Sequence, residues 1–122
     1  MMKSAILFFM LVACVQETTT LAPKDFQKKA AETKDVVILD VRTKEEVDQG
    51  VIPGAINVDF KSENFQEQIS KLDKNKTYLL YCKGGVRSSK SVDIMKSLGF
   101  KKLYDLEGGI DAWREEGLKT TK

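Results

Sequence analysis

The chain has 122 residues, 42% hydrophobic and 31% charged, which is enough for one compact domain and too short for two. Its net charge of +2 comes from 20 basic and 18 acidic residues with no long block of one sign, so nucleic acid is excluded as an electrostatic partner. There is no histidine, and the two cysteines, Cys14 and Cys82, form no CxxC pair; imidazole bases, Cys/His proteases and the usual zinc ligand sets are excluded, and no metal is expected.

The amino end, MMKSAILFFMLVAC, carries an early positive charge at Lys3 and then an apolar run from Ala5 to Ala13. That run is about half of what spans a bilayer core and predicts a signal segment. Residues 11–14, LVAC, resemble the lipobox of bacterial lipoproteins. The resemblance implies cleavage before Cys14, a lipid on its sulfur, and a protein anchored to a membrane on the extracytoplasmic, periplasmic side; an unprocessed leader would leave it cytoplasmic. The polar VQETTT that follows reads as a flexible spacer, so the expected organisation is a signal segment over 1–13, a tether over 14–20 and one domain over 21–122. Cys82 is then the only free thiol of the mature chain, a chemical group rather than half of a disulfide.

Beyond the spacer the pattern alternates. Pro23 suits a first helical position, and Phe26, Ala30 and Ala31 keep helical spacing to about Glu32. VVIL, residues 36–39, is an unbroken apolar, β-branched run of the kind found in a strand covered on both faces. Thr43 and Glu46 form a capping-box pattern for a short helix that Gly50 ends. A Pro53-Gly54 turn precedes a strand over 55–58, and Ser62 is placed to cap a helix with Phe65, Ile69 and Leu72 on one face. TYLLY, residues 77–81, predicts a strand, and a helix follows from about Arg87 to Leu98 with Gly99 after its end. KLYDL, residues 102–106, predicts the last strand, leading through Glu107, Gly108 and Gly109 to a short helix that carries Trp113. Strands alternating with helices imply a three-layer α/β/α fold with a central, mainly parallel sheet.

In such sheets ligands sit beyond the carboxyl ends of the strands. Asp40 and Arg42, Cys82, and Glu107 each follow a predicted strand, so one rim gathers them around the cysteine. The loop Cys82-Lys83-Gly84-Gly85-Val86-Arg87 runs into a helix start, where free N–H groups and the positive end of the dipole face it. Glycines let such a chain curl into an anion nest, and the charges of Lys83 and Arg87 favour a thiolate at its centre without a histidine.

YCKGGVRS resembles the active-site loop of the rhodanese family of sulfurtransferases, and DVR at 40–42, EEVDQGVIPGAINV at 45–58 and LEGGIDAW at 106–113 occur in that family's order. The resemblance covers about Leu21 to Leu118, with one departure, Val51, where the family commonly has histidine. It implies that Cys82 attacks the outer sulfur of a small anionic donor such as thiosulfate, and that the resulting persulfide passes its sulfur to a thiol or cyanide. No cofactor is required, and a monomer is expected. Backbone N–H groups from Lys83 through Gly84, Gly85 and Val86 to Arg87 would hold the persulfide. Lys83 would steer the donor or is a solvated lysine; Ser88 orients or simply opens the helix. Asp40 and Arg42 would brace the loop through ion pairs, with Arg87 and with Glu45 or Glu46. Glu107 would line the rim or serve only as a turn residue, and Trp113 would anchor the last helix in the core. Two other readings stay open: phosphatase or arsenate-reductase chemistry, disfavoured by only four residues between Cys82 and Arg87, and a non-catalytic binding module.

Overall fold

The computed structural model describes residues 17–122. Cys14, the proposed lipid-bearing residue, and the signal segment 1–13 lie outside the described residues. Ten elements follow in order: β1 (Glu17–Leu21), α1 (Pro23–Glu32), β2 (Val36–Asp40), α2 (Lys44–Val47), β3 (Ile56–Asn57), α3 (Phe65–Ser70), β4 (Thr77–Tyr81), α4 (Val86–Ser97), β5 (Lys102–Leu106) and α5 (Gly109–Glu115). The five strands form one sheet in the order β1-β5-β4-β2-β3, and every neighbouring pair is parallel.

Because side chains alternate across a strand, the sheet divides its apolar residues between two cores. Leu39, Tyr78, Leu80 and Leu103 face one side, where Phe65 and Ile69 of α3 and Val92 and Met95 of α4 cover them. Leu79, Tyr81, Tyr104 and Leu106 face the other, against Phe26 of α1 and Ile110 and Trp113 of α5. Trp113 is a core anchor: its ring meets Phe26 edge-on at 6.1 Å and its Nε1–H donates to the Lys119 carbonyl. β4 is buried along its whole length, as a central parallel strand must be, and this carries Cys82 to the middle of the rim.

Two expectations are corrected. Residues 17–20, read as spacer, belong to the edge strand β1, whose Thr18, Thr19 and Thr20 pair with Leu103, Tyr104 and Asp105. Three consecutive β-branched threonines suit an edge strand with a wet face, a propensity that outweighs their polarity. Only residues 15 and 16 then separate Cys14 from the sheet. Ser62 does not cap α3 either; Asn64 stands at that position, and the Ser62 hydroxyl bonds to its side-chain oxygen. The Val51 departure is absorbed by the backbone: Val51 and Thr121 exchange both N–H···O bonds, at 2.7 and 2.8 Å, and that bridge needs no particular side chain.

Candidate active site

Cys82 leaves β4 with its side chain 1% exposed. Its Sγ accepts the Gly85 N–H at 3.0 Å and lies 3.4 Å from Ser88 Oγ. Gly85 is the N-cap of α4 in the left-handed region, φ 109°, a conformation that glycine adopts without the Cβ clash of other residues. That curl folds the chain back over the sulfur. The N–H groups of Val86, Arg87 and Ser88 open α4 and have no carbonyl a turn earlier to accept them.

The other half of the loop is shaped by α5. Ile110 N–H donates to the Cys82 carbonyl at 2.9 Å and Asp111 N–H to the Lys83 carbonyl at 3.2 Å. A trans peptide sets its N–H opposite its C=O, so with both carbonyls drawn to α5 the N–H groups of Lys83 and Gly84 turn away from it. This close approach accounts for Gly109, while a Cβ on Gly108, at φ 72°, would stand 2.6 Å from the Ala112 Cβ. A Cβ on Gly109 would stand 2.7 Å from the Cys82 carbonyl oxygen and closer still to that of Lys83, and Gly109 itself has φ 62°. Glu107, by contrast, is exposed, and its backbone N–H donates to the Leu21 carbonyl.

The cations of the loop are paired. Arg87 reaches both carboxylate oxygens of Glu46, at 2.6 and 2.8 Å, a bidentate fork with side chains only 18% and 25% exposed. The fork holds Glu46 down at about 2, chiefly through the Arg87 bond, while burial opposes it and Thr43 assists; Arg87 is raised in turn, first by Glu46. Lys83 meets Asp111 at 2.6 Å. Neighbouring carboxylates on α5 and α2 thus pair with both cations of the loop.

Asp40 and Arg42 brace the site at one remove. Both are buried, and Arg42 forks onto Asp40 at 2.7 to 3.1 Å, donates to the carbonyls of Glu46 and Gly50, and lies over the Tyr81 ring. Burial disfavours its charge, but the Asp40 bonds outweigh it and leave the guanidinium raised. The expected direct pairing with Arg87 does not occur; the link runs from Arg42 to the α2 backbone, and from Glu46 on that helix to Arg87. Glu46 also completes the capping box with Thr43, so one side chain both starts α2 and holds the loop arginine. The capping pattern in the sequence pointed to Glu46 for its first role and concealed the second.

Val86, placed with the substrate-binding residues, is 66% exposed and can serve the loop only by its backbone. Ser88 is fully buried, donates to the Gly85 carbonyl and touches the sulfur, so it is more than a helix opener. A cavity of about 200 Å³ opens beside the loop between Arg42, Glu46, Lys83, Asp111 and Arg114. Among the described residues no group of three or more Cys, Asp or Glu is arranged to hold a metal.

The rhodanese-like domain model matches residues 22–116. A protein named sulfurtransferase from Allochromatium vinosum is 30% identical over 95 residues, covering 78% of this chain and 87% of its own length. A tRNA uridine(34) hydroxylase from the Aster yellows witches'-broom phytoplasma is 42% identical over 94 residues, which cover 74% of this chain but 30% of the hydroxylase. The crystal structure of a rhodanese-related protein from Thermoplasma volcanium is similar with a TM-score of 0.74 at 29% identity, covering 84% of this chain and 97% of that one.

Proposed function

Since this chain belongs to the rhodanese-like domain family, we propose that it is a sulfurtransferase that carries sulfane sulfur on Cys82 between a thiosulfate-like donor and a thiol or cyanide acceptor. The observation that carries the reading is the setting of the sulfur, buried on the N–H of Gly85 at the mouth of α4 with three further helix-start N–H groups beside it. In the first half-reaction Cys82 Sγ bonds to the outer sulfur of the donor, the donor's S–S bond breaks, and sulfite leaves with the bonding pair. In the second, the acceptor takes the outer sulfur and Cys82 recovers its thiolate. The two steps share one covalent intermediate and need no cofactor. Preorganised N–H donors suit the charge that shifts between Sγ and the added sulfur, because they stand in place before the reaction.

The loop length favours sulfur over phosphorus. Four residues from Cys82 to Arg87 enclose one added atom more readily than a tetrahedral group, and no histidine is present to protonate an alkoxide leaving group. The hydroxylase relative lends this reading only the shared domain, since the chain spans less than a third of it. We also infer, from the leader and LVAC alone, a lipid on Cys14 and a place at an extracytoplasmic membrane face.

Incubation with thiosulfate followed by intact mass is the direct test, with a gain of one sulfur on the wild-type chain and none on Cys82→Ser. Thiocyanate should form on adding cyanide. Aryl phosphate hydrolysis that depends on Cys82, with no added sulfur, would replace this reading with the phosphatase one.

A further inference from the structure

The cavity of about 200 Å³ beside the cysteine loop falls below the range of about 300–1,000 Å³ that holds drug-sized ligands, so it suits a small one. It meets the loop at both ends. Lys83, next to Cys82, lines it, and so does Glu46, whose carboxylate forks onto Arg87. Most of the charge on its walls is already neutralised. Arg42 directs its guanidinium to the Asp40 carboxylate and to the carbonyls of Glu46 and Gly50, Glu46 holds Arg87, and Lys83 holds Asp111. Arg114 of α5 is the exception: among the described residues its side chain makes no hydrogen bond or ion pair. A Cβ on Gly50 would stand 3.3 Å from Arg114 Nη2, so this side chain reaches from α5 across to the turn after α2. Gln49 adds an exposed amide to the lining, and Ile110 an apolar patch.

We propose that this cavity receives the sulfur acceptor as a small thiol bearing a carboxylate, and that Arg114 selects it by pairing with that carboxylate. The inference rests on Cys82 being the sulfur carrier. One uncompensated guanidinium matches a monoanion, and its planar fork fits both oxygens of a carboxylate. The Gln49 amide can donate to one of those oxygens, and Ile110 can take the carbon chain between carboxylate and thiol. Thiosulfate, a dianion without carbon, has no use for the apolar patch and is held by the N–H groups of the loop instead. In the transfer the acceptor thiolate bonds to the outer sulfur of the Cys82 persulfide, the bond from that sulfur to Sγ breaks, and Sγ keeps the bonding pair. The product is the persulfide of the acceptor, and no oxidant or reductant is consumed. Arg114 touches the acceptor at the end remote from the reacting sulfur. It is a specificity-determining residue, and its loss should raise KM with little change in kcat.

Two measurements on the full chain test this, in about 0.15 M salt so that charges beyond about 8 Å are largely screened. The first needs no sulfur transfer. Iodoacetate and iodoacetamide alkylate Cys82 with the same reach, one with a carboxylate and one without, and peptide mass reads both rates at that residue. The ratio of the two rates should fall roughly fivefold in Arg114→Gln and hold most of its value in Arg114→Lys. It should stay unchanged in Lys119→Gln, which removes an equal charge outside this cavity. Arg114 is exposed, so its variants should keep the wild-type urea midpoint. The second follows transfer from the persulfide to 3-mercaptopropionate and to 2-mercaptoethanol. In Arg114→Gln the KM for 3-mercaptopropionate should rise roughly fivefold while that for 2-mercaptoethanol does not move. A reagent ratio unchanged in Arg114→Gln, or a KM rise shared by both thiols, overturns the proposal. So does an equal slowing of persulfide formation from thiosulfate, which would make Arg114 a donor contact. A chain whose reagent ratio depends on Arg114 yet gains no sulfur from thiosulfate keeps the carboxylate site and loses the sulfurtransferase reading.

Discussion

Two segments grip the cysteine loop, and they do so by different physics. On the β2 side, Asp40, Arg42 and Glu46 hold it with side-chain charge, ending in the fork between Glu46 and Arg87. On the β5 side, Gly109, Ile110 and Asp111 hold it with backbone N–H groups and with the absence of a side chain. The first grip is adjustable, since charge responds to pH, and the fork is only partly screened from water. The second is steric and nearly all-or-none, because a peptide backbone cannot yield as a side chain does. An anion-binding loop needs both, a rigid floor to set its N–H groups and a tunable wall to set its charge.

The steric grip is most vulnerable at Gly109. Gly109→Ala places a Cβ against the Cys82 and Lys83 carbonyls at a left-handed φ, and should cost on the order of 3 kcal/mol in urea unfolding together with nearly all persulfide formation. Stability and activity close to wild type would show that the floor is not rigid.

The charged grip should break more gently and with a pH signature. Glu46→Gln should cost about 1–2 kcal/mol at neutral pH, as a partly exposed bidentate pair allows. The Glu46 carboxyl is depressed in the folded chain from its ordinary 4.5 to about 2, so its stabilisation is complete above that ordinary value and is lost as pH falls through the window between them. Urea midpoints of wild type and variant should therefore converge as pH drops through that window; a constant gap would mean that the fork is not what the variant removed. The smallest effect belongs to the outer pair. Lys83 and Asp111 are 63% and 44% exposed, and Lys83→Met should move stability by less than about 0.5 kcal/mol. A larger loss would mark Lys83 as part of the grip rather than its surface.

Much of this arrangement is legible in the sequence. The runs VVIL, TYLLY and KLYDL, the Pro23 start and the Gly99 stop each stand where the structure has them, because local backbone preferences and apolar continuity act over a few neighbouring residues. Cys82 and its glycines were equally plain, since a thiol between a buried strand and a helix start has few other uses. The strand at Glu17–Leu21 was hidden because its threonines are polar and its pairing partner lies more than eighty residues away in β5.

What the sequence by itself determined is the alternation of strands and helices, the loop chemistry around Cys82 and the capping box at Thr43 and Glu46, all products of interactions within about a turn of the chain. Only the tertiary structure decided which charge meets which. Arg87 takes Glu46, 41 positions away, and Lys83 takes Asp111, 28 away, because parallel strands bring their carboxyl ends to one rim whatever their separation along the chain. A guanidinium on an arginine-bearing loop has several carboxylates to choose from in one dimension; the order β1-β5-β4-β2-β3 brings Glu46 on the β2 side within hydrogen-bonding distance, and that distance is what a bidentate ion pair requires.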